Sequence, residues 1–184
     1  MSENPSAPVT RKDLHIYYYD EVNPKSILDL VNTLREATLV SLDKQLTYEL
    51  DSPPPIHLHI HSFGGDVYSG LAGAGHIINN KVPVYTYAEG GVASAGTLLS
   101  LVGKKRYIQE YSYMLIHQVS HWTHGTYENL KDEKQNMDKL MEQFYKFYKK
   151  YSKLKKKQIV KMLKRDLWFD ADECLKYGLV DGIV

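Results

Sequence analysis

Polar and apolar positions change their period several times along this chain. Strict alternation marks Ile56–His61 (IHLHIH), the signature of a half-buried strand. Its histidines, His57, His59 and His61, then share the face opposite the isoleucines and leucine. Asp13–Asp20 (DLHIYYYD) and Val82–Ala88 (VPVYTYA) read as further strands, rich in β-branched and aromatic residues. Lys104–Gln109 (KKRYIQ) and Tyr113–His117 (YMLIH) are shorter strand candidates.

Helical spacing takes over elsewhere. Asn23-Pro24-Lys25-Ser26 is a helix-start signal, and Ile27, Leu30, Val31, Leu34 and Ala37 follow at helical intervals. Val67–Asn80 carries a second stripe: Val67, Leu71, Ala74 and Ile78. From about Thr126 to Tyr151 there is no Gly or Pro. Met137, Leu140, Met141, Phe144, Phe147, Tyr148 and Tyr151 form a stripe there, predicting a helix of roughly seven turns. Lys149–Arg165 is dense in lysine. Its interleaved Ile159, Val160, Met162 and Leu163 favour a solvated helix face over a nucleic-acid patch. Asp170-Ala171-Asp172-Glu173 opens a short helix, Gly178 stops it, and LVDGIV reads as a final strand or strand-like tail. Leu39–Leu50 is ambiguous, with room for a short strand before Ser52-Pro53-Pro54-Pro55. Residues 1–12 are polar with two prolines, which predicts a mobile arm ahead of a single domain over 13–184. Strands alternating with helices predict an α/β fold with a mainly parallel sheet.

Composition narrows the classes. A chain of 184 residues is long enough for one domain with a substantial core. The formal net charge of +1 implies no general attraction to nucleic acid or membrane. Cys174 is the only cysteine, so an intrachain disulfide is impossible and a reducing compartment fits. Cys174 reads as a small buried residue rather than a nucleophile. MSENPSAPVTRKD lacks the apolar core of a secretory signal. No segment approaches the roughly 20 apolar residues of a membrane helix. A cytoplasmic location is expected. The 15 tyrosines suit partly buried or inter-subunit surfaces, where a ring with a polar tip serves both sides.

Chemistry concentrates in Glu89–Gly103 (EGGVASAGTLLSLVG). Gly90 and Gly91 permit a sharp turn after the strand Val82–Ala88, and Ala95–Val102 is helix-compatible, with Gly103 as a stop. Ser94 therefore sits where a strand becomes a helix, beside unpaired backbone N–H groups with partial positive charge. Such a serine is either an N-cap or a nucleophile whose oxyanion would be stabilised on the spot. The G-x-S-x-G elbow is absent, because Gly91 lies three residues before Ser94. Ser62-Phe63-Gly64-Gly65-Asp66 repeats the arrangement of strand, glycine pair and helix. No phosphate-loop pattern accompanies it. The His-x-His strand could supply two zinc ligands, but no cysteine is near and Asp66 lies beyond a glycine pair; packing is the favoured role and no metal is expected. His117 ends an apolar run, where a lone histidine is by default structural.

These landmarks, taken together and in this order, resemble the ClpP family of self-compartmentalised serine peptidases. The resemblance runs from about Leu14 to the C-terminus. HSFGGDVYSG, GGVASAGTLLSLVGKKRY, YMLIHQ and RDLWFDADECLKYGLVDGIV carry it. It implies a crotonase-like ββα superhelix with a projecting handle helix, here about 126–151, and two seven-membered rings stacked as a tetradecamer around a chamber. It implies Ser94 as nucleophile, His117 as general base and Asp166 as the third member of the triad. The backbone N–H groups of Gly65 and Ala95 are implied as the oxyanion hole. It implies peptide substrates, no cofactor, and a possible AAA+ unfoldase partner that alone would use ATP. This chain has Phe63 where the family has proline, Val119 where proline usually follows the His-Gln pair, and a bulky HWTH before Gly125. The last segment meets extended substrate in the family. A catalytically silent subunit of mixed rings is the alternative, with a crotonase-class acyl-CoA enzyme behind it.

Overall fold

The computed structural model describes residues 9–120 and 124–184. The sheet is built around β3 (Ile56–Ser62), whose Ile56, Leu58, Ile60 and Ser62 are buried while its histidines are half-buried on the other face. β2 (His15–Tyr18) and β4 (Val84–Ala93) flank it in parallel. β5 (Lys105–Ile108) and β8 (Gly182–Ile183) extend the parallel order. β1 (Val9–Lys12) closes one edge antiparallel to β2. β6 (Tyr113–Leu115) pairs in parallel with the far end of β4, and β7 (Trp168–Phe169) runs antiparallel to β6. The fold is thus mixed α/β with a mainly parallel sheet.

Helices cover the apolar face of the sheet. α1 (Pro24–Thr47) starts at a capping box in which Asn23 accepts from Ser26 N–H at 2.9 Å and Ser26 Oγ accepts from Asn23 N–H at 3.1 Å. It buries Ile27, Leu30, Val31, Leu34 and Ala37. α2 (Val67–Ile78) and α3 (Ala95–Ser100) complete this layer through Ala74, Ile77, Leu98 and Leu99. α4 (Tyr127–Lys150) docks by its C-terminal half, where Leu140, Phe144 and Tyr148 are buried. Tyr148 shares a 2.8 Å hydrogen bond with Thr97, and burial pushes its phenol pKa upward. α5 (Lys156–Leu163) buries Ile159 and Leu163 and turns its lysines out. α6 (Ala171–Tyr177) is capped by Asp170 and ended by Gly178 in the left-handed region (φ 68). Arg106 ties the chain's end to the sheet: Nη2 reaches Asp181 Oδ1 at 2.5 Å and Nη1 the Tyr151 carbonyl at 2.6 Å. Cys174 is fully buried, which pushes its thiol pKa up to about 12. Among the described residues no helix is long and apolar enough to cross a membrane.

Three expectations need correction. The arm expected over 1–12 is a strand from Val9 onward, because pairing with β2 satisfies its backbone; residues 1–8 lie outside the described region. Leu39–Leu50 holds no strand: α1 runs on to Thr47, burying Thr38 and Ser41 instead of its exposed Leu39 and Leu46. Gly90 and Gly91 do not turn the chain. β4 continues through them to Ala93, at a register shift against β3, and the corner falls at Ser94.

The sheet's other face carries rows of rings. His59 stacks between Tyr17 (4.7 Å) and Tyr87 (4.8 Å), and His15 stacks on His57 (4.6 Å). This gives the alternating histidines of β3 a packing role.

Candidate active site

Ser94 occupies the corner between β4 and α3 with φ 53 and ψ −127, a conformation that costs a non-glycine residue about 1–3 kcal/mol. Pairing on both sides imposes it. Ser94 N–H donates to the Leu115 carbonyl at 2.9 Å, and the Ser94 carbonyl accepts from Thr97 N–H (3.0 Å) and Thr97 Oγ1 (2.6 Å). The side chain stands at the N-cap position yet makes no capping hydrogen bond. Strain plus an uncommitted hydroxyl is not the arrangement of an ordinary cap.

The glycine pair after β3 lies directly against this corner. A Cβ on Gly64 (φ 99) would come within 2.6 Å of Ser94 Cβ, and one on Gly65 (φ 140) within 2.2 Å of the Val22 carbonyl oxygen. Only glycine lets the loop pass so close. Val22 N–H donates to the Gly64 carbonyl at 2.7 Å, and Asp66 N–H to the Val22 carbonyl at 2.7 Å. In that bridge the N–H of Gly65 points away from Val22. The N–H of Ala95, first residue of α3, has no partner within its helix.

Strand register brings in the other two side chains. β6 and β7 are antiparallel with Leu115 opposite Trp168. Two residues further along each chain in opposite directions stand His117 and Asp166, which therefore meet. His117 Nδ1 lies 3.4 Å from Asp166 Oδ1. The side chains are 25% and 81% exposed, so solvent screens the pair. Gln118 N–H donates to the Leu163 carbonyl at 2.7 Å and pins the segment after His117 to the end of α5.

Ser94, Ala95, Gly65 and His117 line one cavity of about 260 Å3. Val67, Met137, Leu140 and Phe144 supply its apolar wall, and Asp66 and Glu133 bring two carboxylates. The Ser94 hydroxyl and the His117 ring share the cavity without a hydrogen bond between them. Asp166 reaches it only through His117. A cavity of this kind can hold a carbonyl beside a hydroxyl, an imidazole and two backbone donors, which is the equipment of acyl transfer.

Sequence reading missed two features. His59 Nδ1 meets the buried carboxylate of Glu89 at 2.7 Å, a pair formed across neighbouring strands. Glu133 faces the cavity from α4. The helical stripe through Met137 and Leu140, extended by one turn, would have found it. Among the described residues no group of three or more His, Cys, Asp or Glu side chains is placed to hold a metal ion. His121 lies outside the described residues.

Residues 11–184 match the protein family described as Clp protease. Proteolytic subunit 2 of the ATP-dependent Clp protease of Treponema pallidum is 32% identical over 132 residues, covering 71% of this chain and 66% of that protein. The proteolytic subunit of Streptococcus mutans is 36% identical over 159 residues, covering 80% of this chain and 75% of its own. Among solved structures, a point mutant of ClpP1 from Listeria monocytogenes has the same fold. Its TM-score is 0.80, with 94% of this chain and 91% of that chain covered at 24% identity.

Proposed function

The chain belongs to the Clp protease family, and from that premise we propose that it is a serine endopeptidase cleaving unfolded polypeptides or peptides inside a ring-shaped chamber. The observation that carries the reading is the shared cavity: a strained, uncapped Ser94 opens on the space that His117 enters, with Asp166 behind the imidazole.

In this reading Ser94 Oγ attacks the scissile carbonyl carbon while His117 accepts its proton. Serine is a weak nucleophile until a neutral imidazole takes that proton. Asp166 holds Nδ1–H toward itself, so that Nε2 is the basic nitrogen, and stabilises the imidazolium. The carbonyl oxygen becomes an oxyanion between the N–H groups of Gly65 and Ala95. Losing one such donor typically costs about 10²–10³ in rate. His117 then passes the proton to the departing amine, leaving an acyl-enzyme on Ser94. Water, deprotonated by His117, releases the second product. Apart from that water, the proposed steps draw on side chains and backbone amides.

Assembly belongs to the same proposal. The fold is read as a crotonase-like ββα superhelix, with residues 13–184 as its single domain. α4 is its handle: its first residues, 127–132, are all exposed, a surface on which rings would interlock. The proposed particle is a tetradecamer of two heptameric rings in the cytoplasm, fed by an AAA+ unfoldase that consumes the ATP.

The test is labelling. A fluorophosphonate should modify Ser94, as located by peptide mass spectrometry, and Ser94→Ala should abolish both labelling and cleavage of fluorogenic peptides. Modification at another residue, or full turnover in Ser94→Ala, ends the proposal. An inert protein that still enters rings with an active relative would point to the silent-subunit alternative.

A further inference from the structure

The loop that carries Gly65 has a backbone that needs outside support. Gly64 and Gly65 follow one another with φ 99 and φ 140, and glycine has the most conformational freedom to lose. Before them, Ser62 still pairs with Val92, and Gly64 N–H donates to Ser62 Oγ at 3.2 Å. The backbone bridge to Val22 holds Gly64 and Asp66. A third hold comes from a side chain. The Phe63 ring meets the Trp168 ring edge to face, with centroids 6.1 Å apart and planes at 85°. Both rings lie against Gly91 of β4, where an added Cβ would stand 3.2 Å from Phe63 Cε1 and 3.5 Å from Trp168 Cη2. His61 also meets Phe63 edge to face at 5.4 Å, and its Nδ1 accepts from Gly91 N–H at 3.1 Å.

These two rings give little to the core, since Phe63 is 66% exposed and Trp168 42%. Neither is among the described residues that line the cavity. What their contact joins is more telling. Phe63 immediately precedes the glycine pair. Trp168 stands opposite Leu115 in the β6–β7 pairing, two residues after Asp166. The Leu115 carbonyl accepts the Ser94 N–H, and His117 follows two residues on. The ring pair thus ties the loop bearing Gly65 to the strands that place Ser94, His117 and Asp166. Resting on the peptidase reading of Ser94, we propose that Phe63 and Trp168 are positioning residues, whose contact across Gly91 keeps the Gly65 N–H aimed at the oxyanion. An edge-to-face pair shifts an equilibrium by about twofold to tenfold. Its loss lowers the population of aligned loop, and with it kcat, by up to that factor.

The experiment measures kcat and KM of the full-length protein on one fluorogenic peptide, with the folding of each variant checked by urea unfolding. Phe63→Ala and Trp168→Ala should each lower kcat about twofold to tenfold, with KM within about twofold, because the aligned donor matters only once the oxyanion forms. The double variant should be no slower than the slower single one, since both substitutions remove the same contact. The pH profile of kcat should keep its midpoint, because the His117–Asp166 pair is left in place. Phe63→Tyr, which keeps the ring, should recover most of the rate lost in Phe63→Ala. Should Phe63→Ala unfold, Phe63→Leu keeps apolar bulk without a ring and carries the same expectation. A kcat less than about twofold below wild type in the single variants, a loss confined to KM, a shifted pH midpoint, or losses that multiply in the double variant overturns the inference. Fluorophosphonate labelling of wild type separates the failures. Labelled Ser94 with kcat unmoved by these substitutions refutes only the positioning role. Unlabelled Ser94 refutes the peptidase reading, and the positioning role falls with it.

Discussion

His59 and His117 each face a carboxylate through Nδ1, and they differ in almost everything else. His59 meets Glu89 at 2.7 Å, with both side chains largely buried (13% and 12% exposed). Glu89 also accepts from Gln109 Nε2 at 3.0 Å and from the Tyr19 hydroxyl. His59 Nε2 lies 2.9 Å from His15 Nδ1. Because the carboxylate accepts from Nδ1–H, Nε2 is left as an acceptor, and His15 fills it. His117 instead meets a mostly exposed Asp166 at a longer 3.4 Å, and its ring opens on a cavity. A general base needs a nitrogen with no protein partner. The tighter pair has spent both nitrogens on structure, whereas the looser one has an opening beside Ser94. Closeness of a histidine–carboxylate pair is thus a poor guide to catalysis here; the unfilled side is the better one.

The contrast breaks most visibly in turnover. His117→Ala should lower kcat by at least about 10³-fold. His59→Ala, measured at saturating peptide in protein checked for folding, should leave kcat within about threefold. A folded His59→Ala that no longer turns over would erase the distinction.

Stability should order the pairs the other way. Glu89→Ala strands the donors of His59, Tyr19 and Gln109 in a partly closed layer, at a cost of about 2–4 kcal/mol. Asp166→Ala removes an exposed partner and should cost less than about 1 kcal/mol, while still slowing catalysis. Urea unfolding midpoints of the two variants check this. Equal losses would mean that the buried layer adds nothing beyond a surface pair.

What could be read without coordinates follows the same division between local and distant. β3, α4 and α6 were legible because period, caps and stop residues lie inside each segment. β1 was not, since only Val9 of its residues is buried and its order comes from β2. The far end of α1 was hidden because its leucines Leu39 and Leu46 face out and break the stripe. Gly90 and Gly91 look like a turn in sequence, yet Gly91 lies inside β4, where an added Cβ would come within 3.2 Å of the Phe63 ring and 3.5 Å of the Trp168 ring. For the candidate site, Ser94 stands out by its local surroundings. His117 and Asp166 stand out only by resemblance, since their meeting depends on the β6–β7 register. The His59–Glu89 pair joins residues 30 apart through β3–β4 pairing, which no local pattern displays.

The smallest expected effect concerns the proton occupancy of the histidine face. Burial, and then the neighbouring His59, lower the pKa of His15, with Asp13 opposing; burial, His15 and His59 lower that of His57. His57 also shares a 2.8 Å hydrogen bond with Tyr87 and packs edge-on to Tyr85, so the groups around it are imidazoles and phenols rather than carboxylates. A histidine with a depressed pKa in the folded state takes up its proton more readily when unfolded. The unfolded chain then binds more protons just below pH 6.5, and stability rises with pH across that window. Acidification from pH 7.5 through 6.5 toward 5.5 should therefore lower Tm, with a slope of at most about 1.4 kcal/mol per pH unit for each histidine. His57→Tyr, which keeps a ring and loses the titration, should flatten the slope relative to wild type. An equal slope in that variant would move the acid sensitivity away from the stacked face, and the contrast between His59 and His117 would then rest on turnover and on the stability of their carboxylate variants.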